Sequence, residues 1–374
     1  MKIIGVIDHL SSGGAQRQLS TLAIELHARG HQFELYYYHD NDFQLPRLIE
    51  AGVPYFKPEK KGRLNNFLSL RARIKAVQPD VVVAFLTGPS LLSLAVCQTL
   101  RNPPAVITSE RNAIAGSHTP LRQRIALQAY RLATRVTVNA HHIEAEIKQL
   151  APALAGRLRT IWNGVDLDYF KVDEAQPSGE AMSLLGLSTL DPAKGHLLLV
   201  EGLAVLRDKY QLRANVSWSC RRSEKLHPHE KAHRDHINQR LDALELSDQW
   251  TWISEQRDVR PVIDACDALV HPSRREGLPN SLCEALACGR PALAAAVLDH
   301  PRLITAGQNG FLFSHDNPES VADAIYRLHQ LGDEQRRQLG RQARDFASRE
   351  LSVSRFGDAY EALFNEVIAE RQAR

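Results

Sequence analysis

Short unbroken apolar runs recur along the first half of the chain, at residues 3–7, 33–38, 81–86, 105–108, 135–138 and 160–162. Helical patterns fill the intervals. After the first run Leu19, Leu22, Ala23 and Leu26 share one face and Gly30 stops the pattern; later helices are predicted over 64–77, 89–101, 120–133 and 140–150. Strands that are apolar throughout, alternating with helices, belong to parallel sheets covered on both faces. A polar stretch with Pro and Gly at 172–181 reads as a linker. The alternation then restarts, with strands predicted at 181–188, 214–218, 251–253, 268–271 and 291–296 and helices at 195–208, 230–245, 280–288, 318–331 and 333–348. A last helix, 353–371, sets Phe356, Tyr360, Leu363, Phe364 and Val367 on one stripe. The fold class expected is therefore α/β, with two Rossmann-like doubly wound domains, 1–172 and 181–352. The terminal helix 353–374 is expected to pack back on the first domain. Ligands of such sheets bind at the carboxyl ends of the strands, which makes an interdomain cleft the default site.

Composition narrows the class. The 374 residues are 44% hydrophobic and 24% charged, with no apolar run near the roughly 20 residues of a membrane span. The first apolar run is broken by Asp8 and is too short for a signal-peptide core. Cys97, Cys220, Cys266, Cys283 and Cys288 form no Cys-x-x-Cys pair, which argues against a disulfide or zinc framework and for a reducing cytoplasm. Net charge is +3, yet residues 1–175 alone carry 21 Lys+Arg against 15 Asp+Glu. The excess peaks at Lys57, Lys60, Lys61, Arg63, Arg71, Arg73 and Lys75, interleaved with Leu64, Phe67, Leu68 and Leu70. Two readings stand: a face for anionic lipid at the inner membrane surface or for phosphorylated acceptors, or a solvated helix surface. Nothing in the pattern calls for nucleic acid. His227, His229, His233 and His236 are interleaved with Glu230, Lys231 and Arg234, and read as a solvated polar face rather than metal ligands.

Two loops carry candidate chemistry. The first strand runs into Asp8-His9-Leu10-Ser11-Ser12-Gly13-Gly14, where paired glycines before a helix allow a phosphate to approach the backbone. It is not G-x-G-x-x-G, so a dinucleotide is not indicated. The second is His271-Pro-Ser-Arg-Arg-Glu276-Gly-Leu-Pro-Asn-Ser-Leu-Cys-Glu284-Ala-Leu-Ala-Cys-Gly289-Arg-Pro291. A strand leads into a turn and a helix expected to start near Pro279. The amides of Asn280, Ser281 and Leu282 are then available to a phosphate or a sugar hydroxyl, and Glu276 and Glu284 can grip two parts of one polyhydroxylated ligand.

That second segment, with its E-x7-E frame, resembles the retaining family 4 glycosyltransferases of the GT-B fold. Gly13-Gly14 matches the family's amino-terminal loop, and Ile161-Trp-Asn-Gly-Val-Asp166 its I-P-N-G-V-D. Pro192-Ala-Lys194-Gly-His196 is similar to its P-x-K-G-H, and Gly307-Gln-Asn-Gly310-Phe-Leu-Phe to its G-x-x-G-x-L. The resemblance implies a nucleotide-sugar donor, a UDP- or GDP-sugar, and a saccharide or lipid-linked acceptor. Catalytic roles would fall to Lys194, on the leaving diphosphate, and Glu276, on the transferred sugar. Asn280 to Leu282 would bind sugar or diphosphate, and Glu284 the ribose. No metal or other cofactor is implied, and Asp166-Leu-Asp168 reads as structural.

Three departures mark this chain. Ser188-Thr189-Leu190 stands where the family has G-R-L, whose Arg is a second phosphate ligand. Leu298-Asp-His-Pro-Arg302 replaces G-G-x-x-E. Ser109-Glu110-Arg111-Asn112 replaces a first-domain His and resembles a subgroup that handles N-acetylhexosamines. Arg111, or Arg221 with Arg222, is the candidate for the missing positive charge, with a surface ion pair as the plainer reading of each. Two other functional classes stay open: a sugar-nucleotide epimerase of similar fold, and a non-catalytic nucleotide-sugar-binding module.

Overall fold

The computed structural model describes residues 1–113, 121–172, 181–221, 223–256 and 258–373. Most of the expected linker, residues 173–180, and Arg222 lie outside the described residues. The chain divides into two units, Met1–Gly164 with Ser352–Arg374, and Val165–Leu351.

The first unit holds β1 (Lys2–Ile7), α1 (Gly14–Ala28), β2 (Gln32–Tyr37), α2 (Leu45–Glu50), β3 (Tyr55–Phe56), α3 (Arg63–Val77), β4 (Val81–Phe85), α4 (Thr87–Cys97), β5 (Ala105–Glu110), α5 (Leu121–Ala129), β6 (Arg135–Val138), α6 (His141–Leu150) and β7 (Leu158–Thr160). Its strands are parallel in the order β3-β2-β1-β4-β5-β6-β7. The chain winds from β1 to one edge and then from β4 to the other, so its direction reverses between β1 and β4. One face is covered by α3 to α6, through Leu70, Ile74, Leu94, Ala126, Leu127 and Ile143. The other face is covered by α1 and by the C-terminal α14 (Val353–Gln372). Phe356, Tyr360, Leu363, Phe364 and Val367 of α14 pack there with Leu19, Leu22, Phe85 and Ile107. Ser352 caps that helix, and Arg29 fastens it through Asp358 at 2.6 Å and Glu361 at 2.9 Å.

The second unit holds β8 (Met182–Leu187), α7 (His196–Tyr210), β9 (Ala214–Cys220), α8 (Pro228–Ala243), β10 (Trp250–Ser254), α9 (Arg260–Asp264), β11 (Ala268–His271), α10 (Asn280–Ala287), β12 (Ala292–Ala295), α11 (His300–Leu303), β13 (Gly310–Phe313), α12 (Pro318–His329) and α13 (Asp333–Glu350). Its parallel order is β10-β9-β8-β11-β12-β13, reversing between β8 and β11. Both units are thus Rossmann-like, the two-domain composition of the GT-B fold.

Three local expectations need correction. The segment Gly310–Phe313, absent from the expected strands, is edge strand β13; a Cβ at Gly310 would meet the Ala292 carbonyl oxygen at 2.0 Å, so glycine is what lets it pair with β12. The seventh strand is Leu158–Thr160 rather than 160–162. The helix expected over 120–133 ends at Ala129 and tightens into a 3-10 turn at Tyr130–Leu132. The helix expected over 280–288 is α10, with Pro279 as its cap residue.

Candidate active site

In the second unit the reversal point between β8 and β11 is where a ligand belongs. The loop after β8 carries Lys194 and the loop after β11 carries Glu276, and the two are stitched together. Arg274 N donates to Ala193 O at 2.8 Å, and Asp191 accepts from Ala193 N at 2.8 Å. Gly195 has φ of +78°, and a Cβ there would lie 2.2 Å from the Pro272 carbonyl oxygen. Only glycine permits that approach, so the P-x-K-G sequence is what brings the Lys194 loop against the Glu276 loop.

The two candidate side chains meet. Lys194 Nζ lies 2.6 Å from Glu276 Oε1 and 3.4 Å from Arg275 O, with the two side chains 17% and 16% exposed. His271, the last residue of β11, is buried, and its Nε2 lies 3.4 Å from the same oxygen. That nitrogen makes no hydrogen bond among the described residues. Burial alone would push the Glu276 carboxyl up; the His271 imidazole, then the Lys194 ammonium, outweigh it and hold the group at about 2. A depressed carboxyl stabilises the fold above its ordinary value and loses that contribution only as pH falls toward 2, so the pair persists through neutral pH.

Beyond Glu276 the chain turns into α10. The first bond inside it runs from Cys283 N to Pro279 O at 3.3 Å, and no side chain caps the helix. The first-turn amides of Asn280, Ser281 and Leu282 point out along the axis, where the helix dipole favours an anion. Glu284 lies in the second turn and is only 6% exposed. Asp299 and His300, from the departing 298–302 segment, are also buried; His300 Nδ1 lies 2.8 Å from Ala295 O, and its ring stands edge-on to His271 at 5.1 Å. His196, next to Gly195, packs on Trp218 at 4.4 Å. Burial, then the charges of His233 and Lys194, bring it down to about 3, so it is a neutral packing group.

In the first unit Gly13 and Gly14 sit at the reversal point between β1 and β4, where Gly13 caps α1. Arg111 follows β5 and is 5% exposed. Its guanidinium donates to Ser109 Oγ at 3.3 Å and to Asn163 Oδ1, and lies 4.4 Å over the Phe85 ring. Gln18 holds the next residue from the other side, exchanging two 2.9 Å bonds with Gly164. Arg111 therefore anchors Asn163 within its own unit. Glu110 is buried beside it, bonded by Thr87 at 3.1 Å and Tyr130 at 3.2 Å, and its carboxyl is raised chiefly by burial. Of the other candidate cations, Arg221 meets Glu230 at 3.4 Å; Ser188 and Thr189 bring no charge.

Sequence reasoning missed three residues: His271, His300 and Gln18. His271 had a readable signal, since a polar residue closing an apolar strand faces the carboxyl end where ligands bind. Gln18 and His300 had none.

Known proteins share this build. A family model described as "Glycosyltransferase Family 4" matches residues 12–169, and one described as "Glycosyl transferases group 1" matches residues 173–346. The first half of the chain is thus similar to the family 4 glycosyltransferases and the second half to the group 1 glycosyl transferases. The D-inositol 3-phosphate glycosyltransferase of Mycobacterium tuberculosis (strain CDC 1551 / Oshkosh) is 28% identical over 273 residues, which are 69% of this chain and 55% of that relative. The N-acetyl-alpha-D-glucosaminyl L-malate synthase of Bacillus anthracis is 27% identical over 133 residues, 35% of this chain and 34% of its own length. The chain thus matches about half the length of the former and a third of the latter. Anabaena HepE, solved in complex with UDP-glucose, superposes with a TM-score of 0.80 at 20% identity, covering 100% of this chain and 99% of that one. That likeness establishes the GT-B fold.

Proposed function

We propose that this glycosyltransferase moves a hexose or N-acetylhexosamine from a UDP- or GDP-sugar to a saccharide or lipid-linked acceptor in cell-envelope polysaccharide synthesis, with retention and without a metal. The observation that carries the reading is the convergence of Lys194, Glu276 and the first turn of α10 at the reversal point of the second sheet. The second unit is the donor side and the first the acceptor side. Lys194 and the amides of Ser281 and Leu282 hold the diphosphate, Glu284 the ribose, and Glu276 the sugar. The bond from the anomeric carbon to the phosphate oxygen breaks, and the nucleoside diphosphate leaves with the electron pair. The acceptor oxygen forms the new bond on the same face, and its proton passes to the departing phosphate. A fixed cation at the leaving group does what a metal does elsewhere. UDP-glucose on HepE and the N-acetylglucosaminyl chemistry in the Bacillus anthracis relative's name support these donor classes. An epimerase would convert UDP-N-acetylglucosamine without acceptor, and a binding module would turn over no donor. Acceptor-dependent consumption of labelled donor is therefore the test.

A peripheral site at the cytoplasmic face of the membrane belongs to the same proposal. No helix among the described residues is long and apolar enough to cross a bilayer. The sequence from 60 to 143, which includes α3 to α5, contains two acidic residues, Asp80 and the buried Glu110. Three of the seven clustered cations are occupied within the fold: Lys57 by Asp40 and Asp42, Lys61 by Asp40, Arg73 by Glu34. Lys60, Arg63, Arg71 and Lys75 remain, with Arg124 and Arg131 on and after α5. Leu70 faces the core and Phe67 packs against it, whereas Leu64, Leu68, Leu121 and Ile125 are 52–73% exposed. Cations beside exposed leucines suit anionic headgroups, at about 1 kcal/mol per engaged cation. Co-sedimentation with phosphatidylcholine vesicles is expected only when phosphatidylglycerol is included. It should fall with salt and drop on Leu64→Ser with Leu68→Ser. Binding indifferent to lipid charge, or none at low salt, would overturn this part alone.

A further inference from the structure

The two side chains given separate duties on the donor are bonded to each other. A lysine that faces a carboxylate at 2.6 Å already has the partner a phosphate oxygen would be. Any diphosphate entering here meets the negative charge of Glu276 as well as the positive charge of Lys194. We propose that Lys194 and Glu276 form a latch: Glu276 competes with phosphate for Lys194, gives it up when donor arrives, and is then received by His271. The inference rests on the glycosyltransferase reading and names how its site distinguishes donor from spent nucleotide.

Three features make the exchange a side-chain event. The backbones of the two loops are held by the Arg274–Ala193 bond and by the Gly195–Pro272 approach, so the ion pair cannot open by separation of the loops. The Lys194 side chain has four rotatable bonds and reorients without disturbing either loop. His271 Nε2 is buried, lacks a hydrogen bond among the described residues, and waits 3.4 Å from the oxygen that Lys194 would release. A shift of about half an ångström brings that pair to ordinary hydrogen-bond length. His271 is thus a positioning residue, fixed by β11 behind it and by the His300 ring at its edge.

The consequence is selective. A complete donor compensates the opened latch twice: its diphosphate takes Lys194 and its sugar hydroxyls take Glu276. A nucleoside diphosphate compensates once, since it has no sugar for Glu276. The latch therefore recloses against the product and helps to expel it, which matters where product release limits turnover.

Calorimetry on the full-length protein tests this with UDP, GDP, inorganic pyrophosphate and uridine. Glu276→Gln keeps the side chain's shape and removes its charge. It is expected to tighten UDP or GDP, and pyrophosphate, by about five- to tenfold, the loss of one charge-assisted competitor. Uridine, which meets neither side chain, should be unchanged. His271→Phe, which keeps a ring and loses the nitrogen, is expected to weaken UDP binding about threefold in the wild-type background and to have no effect in Glu276→Gln, a coupling that a loosened fold would not produce. His271→Gln should restore the wild-type affinity. Unchanged or weaker UDP and pyrophosphate binding by a Glu276→Gln protein with wild-type Tm would overturn the latch, and so would additive effects in the double variant. Wild-type protein that binds neither UDP nor GDP would instead remove the donor reading on which the latch depends.

Discussion

Lys194→Ala is expected to lower kcat by about two to three orders of magnitude while weakening the ground-state donor by no more than about tenfold. In the intact donor the diphosphate oxygens share their charge with the sugar bond; as that bond breaks, negative charge gathers on the leaving oxygen. A cation held in place acts most strongly on the charge that develops, and removal of one such preorganised donor typically costs 10²–10³ in turnover. The backbone that carries Lys194 is fixed: the 3-10 turn Pro192–Lys194 is capped by Asp191, and Gly195 is pressed on Pro272. The chain has Thr189 where the resemblance leads one to expect a second phosphate-binding Arg, and Arg111 is engaged with Asn163. Lys194 is therefore expected to carry more of the leaving-group charge here than it would with a helper. Single-turnover rates beside equilibrium binding make the measurement. Equal losses in the two would show that Lys194 binds the donor and does nothing further in the transition state.

Glu284→Ala is expected to weaken donor and nucleoside diphosphate alike, by roughly 1.5–3 kcal/mol, which is about ten- to a hundredfold in Kd. The carboxylate sits in the second turn of α10, 6% exposed, with Leu282, Cys283, Ala285 and Leu286 buried around it. A hydroxyl that loses a charged acceptor in so dry a place has no water to replace it. Because the ribose is common to substrate and product, both affinities should fall together. In that respect Glu284 differs from Glu276, whose charge is expected to oppose the product. Calorimetry with UDP and with the nucleotide sugar reads the difference directly; donor affinity equal to wild type would count against the ribose role.

The two domain cores were legible because a parallel strand buried on both faces writes an unbroken apolar run, as Val81–Phe85 and Ala292–Ala295 do. The elements that escaped are those whose pairing comes from neighbours rather than pattern. Tyr55–Phe56 is a two-residue edge strand beside β2, and Gly310–Phe313 starts on a glycine that reads as a turn until Ala292 lies against it. The loops bearing the candidate site were legible from their residue types, but the contact that gives them their chemistry was not. Lys194 and Glu276 are 82 residues apart, and no periodicity links them; only the reversal of strand order between β8 and β11 does. For the same reason a run of cations at 57–75 looked uniform, although Asp40, Asp42 and Glu34 on and after β2 neutralise three of its members.

The central claim is that the chain transfers a sugar from a nucleotide-sugar donor through a protein cation. Its most direct test is a panel of labelled UDP- and GDP-sugars incubated with the wild-type protein, EDTA and a saccharide or lipid-linked acceptor. The account expects label to pass from one donor to the acceptor at a rate unaffected by EDTA, with release of the nucleoside diphosphate and retained anomeric configuration by NMR. No label transfer from any donor, donor converted equally well without acceptor, or activity abolished by EDTA and restored by Mg²⁺ would contradict it.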